Sequence, residues 1–176
     1  MVQNLFLFGA VLVACAGGIS DLHSARIPNW LTYNGIVSGL VLRLAVLGWS
    51  GLGSGSFAVL VAGGIFFLLF MIGAMGGGDL KLMVSVAAWA GSEHFLFVLI
   101  AAVLAGGLLA VGYILFGQGI RRTVRNLADL ICFWLTSGFI PHPELNVGKP
   151  GTLRVPFGVA IALGTLLCTA NVIWWR

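Results

Sequence analysis

Two carboxylates stand out for type and setting: Asp21 and Asp79, each reached after a long apolar run, in a chain with only five acidic residues. Asp79 ends the stretch Met75-Gly76-Gly77-Gly78-Asp79 and is followed by Leu80-Lys81-Leu82. A carboxylate at membrane depth costs about 3 kcal/mol or more, so such a residue marks a functional site by default. Two carboxyls brought to one depth can share a proton. One then takes a proton from water while the other, protonated, polarises a scissile carbonyl, as in an aspartyl protease. Glycines before Asp79 let backbone approach closely, whether a neighbouring helix or an extended substrate. By its place in the chain Asp79 lies at a helix N-terminus, which favours negative charge. Asp21 lies at a C-terminus, which disfavours it. The division expected from this is Asp79 as base and Asp21 as acid, titrating as one unit.

The other acids are weaker candidates. Asp129 follows Arg125 by four residues, the spacing of a solvated helical pair. Glu144 sits among prolines and Glu93 in a Gly-Ser turn. Lys81 either holds down local charge or marks the membrane interface, and its position leaves both open. His23, His94 and His142 share no helical face, so no metal site is expected. The three cysteines, Cys15, Cys132 and Cys168, stand singly and fit buried thiols rather than zinc ligands or disulfides.

These side chains are carried by an unusually apolar chain. It is 60% hydrophobic and 8% charged over 176 residues, with a mean hydropathy of +1.08. Soluble domains carry about a quarter charged residues, so an all-α polytopic membrane protein is expected, folded as a single domain over 1–176. The net charge of +4 belongs to basic loops that suit an anionic inner leaflet. No basic cluster is interleaved with base-stacking aromatics, which argues against nucleic acid as a partner.

The apolar runs predict about six transmembrane helices and one interfacial amphipathic helix. The first run, Leu5 to Ile19, contains Leu12-Val13-Ala14-Cys15, which matches a lipoprotein cleavage box. Met1-Val2-Gln3-Asn4 lacks the positive charge of a secretory signal, so a retained helix is expected. A polar connection follows, Asp21 to Asn29, in which Pro28 suits the first turn of the next helix. That helix spans Trp30 to Leu47, with Gly35 and Gly39 as a close-packing face and Arg43 snorkelling at its far end. A Gly/Ser loop from Trp49 to Ser56 leads to a third span, Phe57 to Met75. Leu80 to Gly91 is short, about 18 Å against a hydrocarbon core of about 30 Å. It must begin inside the membrane beside a wet cavity, or the bilayer must thin. Phe95 to Phe116 is the fifth span. Gln118 to Leu135 has Arg121, Arg122, Arg125, Asn126 and Asp129 on one face and apolar residues on the other, the pattern of a helix lying in the interface. A proline-containing loop reaches Pro156, which opens the sixth span, ending at Trp174-Trp175-Arg176.

Charge orients these spans. With the N-terminus outside, the inner loops hold Arg26, Lys81, Arg121, Arg122, Arg125, Lys149 and Arg154, and the outer side only Arg43 and Arg176. This positive-inside bias sets Asp21 and Asp79 at the cytoplasmic rim.

Three segments taken in order make the chain resemble the type IV prepilin peptidases, GxGD-class membrane aspartyl proteases, in the short form associated with Flp/Tad-type pili. They are Asp21 with Arg26-Ile27-Pro28-Asn29, then Gly76-Gly77-Gly78-Asp79-Leu80-Lys81, and finally Val155-Pro156-Phe157-Gly158-Val159-Ala160. The resemblance implies that Asp21 and Asp79 are the catalytic pair. Arg26, Pro28, Asn29, Gly76, Gly78, Lys81, Pro156 and Gly158 are their motif neighbours. It implies a pilin-like precursor as substrate, cut after a short basic leader at the cytoplasmic face of a prokaryotic inner membrane, with no cofactor. The longer members' cysteine tetrad and inserted domain have no counterpart here, so N-methylation is not implied. A proton-coupled transporter or channel using the same two carboxylates as a relay is the alternative. It predicts acids near mid-bilayer and inverted repeats, neither of which this sequence suggests.

Overall fold

The computed structural model describes residues 2–116, 120–138, 140, 145 and 155–174, and among these every regular element is a helix. In order they are α1 (Val2–Ser24), α2 (Asn29–Met71), α3 (Gly77–Phe116), α4 (Ile120–Ser137) and α5 (Phe157–Trp174). Four of them, all but α4, are long and apolar enough to cross a membrane. This is an integral membrane protein with an all-helical architecture. The proline-containing loop with Pro141, Pro143, Lys149, Pro150 and Arg154, the side residues His142 and Glu144, and Gln118, Trp175 and Arg176 lie outside the described residues.

The six apolar runs occupy four such helices. The second run and the third as far as Met71 fall within α2, and the fourth and fifth within α3, each pair joined across one non-helical glycine; 72–75 form a turn rather than the end of the third span. At Gly48 the backbone turns at φ 67°, ψ −155°, a region only glycine adopts readily. The chain doubles back there. Arg43 Nη1 donates to Ser54 Oγ at 3.3 Å, and a Cβ on Gly55 would lie 3.0 Å from Leu40. The expected Gly/Ser loop from Trp49 to Ser56 is therefore helical, because one glycine performs the reversal and Ser50 Oγ caps the Leu47 carbonyl at 2.9 Å.

Gly91, at φ 64° and ψ 176°, does the same in α3. Before it, Trp89 packs on Gly9 and Leu82 on Gly17, so residues 77–90 run antiparallel to α1. After it, Ala102 meets Gly164 and Gly106 meets the Phe157 ring, antiparallel to α5. Residues 82–91 are all buried. The short arm is thus enclosed by other helices, and its length need not match the hydrocarbon thickness. Side chains on the outer faces, such as Leu12, Leu60, Leu104 and Leu108, are the exposed ones, as lipid-facing positions should be. In α5 the buried Thr165 and Thr169 hydroxyls donate to the carbonyls of Ile161 and Thr165, at 2.7 and 2.9 Å.

α4 stands where the amphipathic helix was expected, continues two residues past Leu135, and is followed by Gly138 with φ 82°. Asp129 and Arg125 are exposed on it.

Candidate active site

Asp21 lies in the last turn of α1, not in the connection after it; α1 continues to Ser24. The turn that follows is compact. Ala25 takes φ 53° and its N–H donates to the Asp21 carbonyl at 3.0 Å. Ser20 and Ser24 hydroxyls both donate to the Arg26 carbonyl, at 2.8 and 3.1 Å. Pro28 then stands at the N-cap of α2, with φ −63° and ψ 135°, and Ile27 is buried.

The Asp21 side chain is 4% exposed. Its Oδ2 accepts a hydrogen bond from the Gly158 N–H at 3.0 Å, at the first turn of α5, which Pro156 starts by accepting from the Val159 N–H at 3.1 Å. The end of α1 therefore meets the positive end of another helix. Nothing in the local sequence around Asp21 signals this partner, which is 137 residues away.

Asp79 is in the first turn of α3, half-buried. Its carboxylate curls back over its own N-terminus: Oδ2 lies 3.2 Å from where a Cβ on Gly76 would be. The three glycines have separate neighbours. Gly76 clears the Asp79 carboxylate, Gly77 lies against the Phe70 ring, and Gly78 faces Ile27, which a Cβ there would meet at 3.4 Å. That last contact joins the glycine motif to the Arg26-Ile27-Pro28-Asn29 segment.

Lys81 is tied to α2. Its Nζ donates to Asn29 Oδ1 at 3.0 Å and lies 5.2 Å from the centre of the Tyr33 ring. Arg26 is exposed. Of the motif residues, the structure joins Asp21 to Gly158, Gly76 to Asp79, Gly78 to Ile27, and Lys81 to Asn29.

Arg43 departs from expectation. It does not snorkel but is 3% exposed. Its Nε and Nη2 donate to the Trp89 carbonyl at 3.2 and 3.1 Å, and Nη2 pairs with Glu93 Oε2 at 3.3 Å. The Gly91 reversal leaves the Trp89 carbonyl at the end of its arm, and the buried guanidinium gives it two of its five donors. Ser54 completes this cluster, donating to Glu93 Oε1 at 2.7 Å and accepting from the Ser92 N–H at 3.0 Å.

Neither curated proteins nor solved structures gave a match to this sequence. The profile of the type IV leader peptidase family matches residues 5–111, a stretch that holds both aspartates, the Arg26-Ile27-Pro28-Asn29 turn and the glycine motif. With more than half of the chain matched and a helical membrane fold beneath the match, this protein belongs to the type IV leader peptidase family.

Proposed function

We propose that this protein is an aspartyl endopeptidase that removes the basic leader of pilin-like precursors, with Asp21 and Asp79 as its catalytic pair. The family makes it a leader peptidase in general terms. One observation carries the assignment of the pair. Gly9 meets Trp89 and Gly17 meets Leu82 along the antiparallel α1 and α3. Moving one turn further, four residues along α1 and three back along α3, reaches Asp21 and Asp79 on the same two faces. This spacing supports two carboxyls at one depth facing each other.

In the mechanism, one carboxylate of the pair accepts a proton from water. The water oxygen attacks the scissile carbonyl, and the protonated partner donates to the carbonyl oxygen as it becomes an oxyanion. Collapse of the tetrahedral species breaks the C–N bond, and the proton taken from water passes to the leaving amine. The Gly158 N–H orients the Asp21 carboxyl through Oδ2. The proton belongs to the pair rather than to either residue.

The reading includes six crossings, because each glycine reversal returns the chain across the bilayer, with α4 lying in the inner interface. Both aspartates then face the cytoplasm, by the excess of Arg and Lys in the loops at that end. Single cysteines at Ser50 and Ser92 should label from outside, and ones at Ser24 and Ala74 from inside. A precursor with a short basic leader before an apolar helix is the substrate whose bond reaches that rim.

Co-expression with such a precursor, reading leader loss by mass, is the test. Asp21→Asn and Asp79→Asn should each abolish cleavage with expression and helix content kept. Full cleavage by either variant would sink the mechanism.

A further inference from the structure

Residues 77–90 form a rod roughly 20 Å long, with Asp79 at one end and Trp89 at the other. The trough around it is floored by glycine. Gly9 and Gly39 face Trp89, Gly17 faces Leu82 and Gly35 faces Ser85, each so close that a Cβ would collide. Helices resist sliding by interlocking ridges and grooves; here Leu82, Ser85 and Trp89 are the ridges and the glycines the grooves. Polar pins at one end add to that lock.

Those pins converge on Trp89. Its ring fills the hole left by Gly9 and Gly39. Its indole N–H donates to the Gly35 carbonyl at 2.8 Å. Its own carbonyl, at the end of the rod before the Gly91 break, accepts two bonds from Arg43. Arg43 in turn is held by Ser54, Glu93 and the face of Phe6, whose ring centre is 4.9 Å away.

We propose that Arg43 and Trp89 are positioning residues that set the axial register of this rod, and with it the depth of Asp79. The proposal rests on Asp79 being catalytic. A slip of one residue is 1.5 Å, and a misplacement of about 1 Å in a catalytic group costs on the order of 100-fold in rate.

The competing role is structural, an Arg43–Glu93 ion pair that merely fastens the two reversals. Two variants separate them. Glu93→Gln removes the charge but leaves both bonds from Arg43 to the Trp89 carbonyl. Arg43→Met removes those bonds. With purified protein in phospholipid vesicles and a leader-bearing precursor, Arg43→Met should lower kcat about 100-fold with KM within about threefold. Glu93→Gln should stay near wild type in both. The double variant Arg43→Met/Glu93→Met removes both partners, so no unpaired charge is left at this end of the rod. Its thermal midpoint should recover while its kcat stays low. Equal losses in the two single variants, a wild-type kcat in Arg43→Met, or recovery of kcat in the double variant would each overturn the proposal. Should Arg43→Met not fold, Trp89→Phe decides: it keeps a ring in the hole, loses the bond to Gly35, and should lower kcat about tenfold at unchanged KM. An unchanged kcat there counts against register control. Asp79→Asn is measured in parallel. Cleavage by Asp79→Asn refutes the catalytic assignment itself, whereas a dead Asp79→Asn beside a fully active Arg43→Met refutes only the register control.

Discussion

The Gly158 N–H and the Asp21 carboxylate meet at 3.0 Å across 137 residues of sequence. The bond depends on the absence of a side chain. A Cβ on Gly158 would lie 3.0 Å from the Asp21 Cβ and 3.1 Å from Oδ2. The backbone is equally close from the other side, where a Cβ on Gly18 would lie 3.1 Å from the Gly158 carbonyl oxygen. α1 and α5 thus touch through two glycines, with the carboxylate one turn away.

Gly158→Ala should therefore push α5 off Asp21 by several tenths of an ångström and lengthen that bond. Cleavage should fall roughly 10- to 100-fold, with membrane insertion and helix content unchanged by circular dichroism. Gly107→Ala, at a site with nothing within 4 Å of the added carbon, is the control and should cleave normally. Equal activity in the two would show that the Gly158 contact is only packing.

The glycine motif predicts a graded response. At Gly76 an added methyl meets Asp79 Oδ2 at 3.2 Å, closer than ordinary contact, whereas at Gly77 it meets the edge of Phe70 at 3.4 Å. Gly76→Ala should displace the carboxylate and cut cleavage at least tenfold. Gly77→Ala should be tolerated, and the better helix propensity of alanine offsets any small loss of stability. Leader loss measured by mass for both variants at matched expression checks the order. The reverse order would mean that Asp79 does not occupy this rotamer during catalysis.

Lys81 contacts Asn29 and Tyr33 rather than serving only as an interface marker. Its bond links the first turns of α2 and α3 and so braces the contact between Gly78 and Ile27. Lys81→Met should lower thermal stability by about 1 kcal/mol, typical of one hydrogen bond. Asn29→Ala should have nearly the same effect. In a double-mutant cycle the two losses should not add, since either change removes the same bond. Additive losses would mean that Lys81 acts elsewhere.

How much of this was readable from the chain alone follows a physical line. Apolar runs and a positive-inside bias are properties of segments, so membrane character and helical class were visible in composition. Asp21 and Asp79 were visible because a carboxylate beside an apolar run is conspicuous. Contacts between distant segments carry no local signal. Gly158 on Asp21 and Arg43 on the Trp89 carbonyl both depend on how helices stack. Arg43 in particular looks like any snorkelling cation until the reversals at Gly48 and Gly91 wrap around it. Those reversals were themselves disguised: Trp49 to Ser56 has the Gly/Ser composition of a loop, yet it is helical, with Gly51 and Gly55 buried against Leu47 and Arg43.

The two reversals should answer differently to the same substitution. Both glycines sit in a backbone region nearly closed to other residues, so alanine at either costs on the order of 1–3 kcal/mol. At Gly48 nothing lies within 4 Å of the added carbon, so strain is the whole penalty. At Gly91 the methyl would also run into the Arg43 guanidinium and the Glu93 carboxylate. Gly48→Ala should lower the thermal midpoint modestly and leave cleavage per folded molecule intact. Gly91→Ala should lower it further and dislodge the donors on the Trp89 carbonyl, so cleavage per folded molecule falls as well. Thermal unfolding in detergent, paired with cleavage normalised to folded protein, separates the two effects. Matching losses at both positions would mean that the Arg43 cluster yields to the methyl without moving the rod.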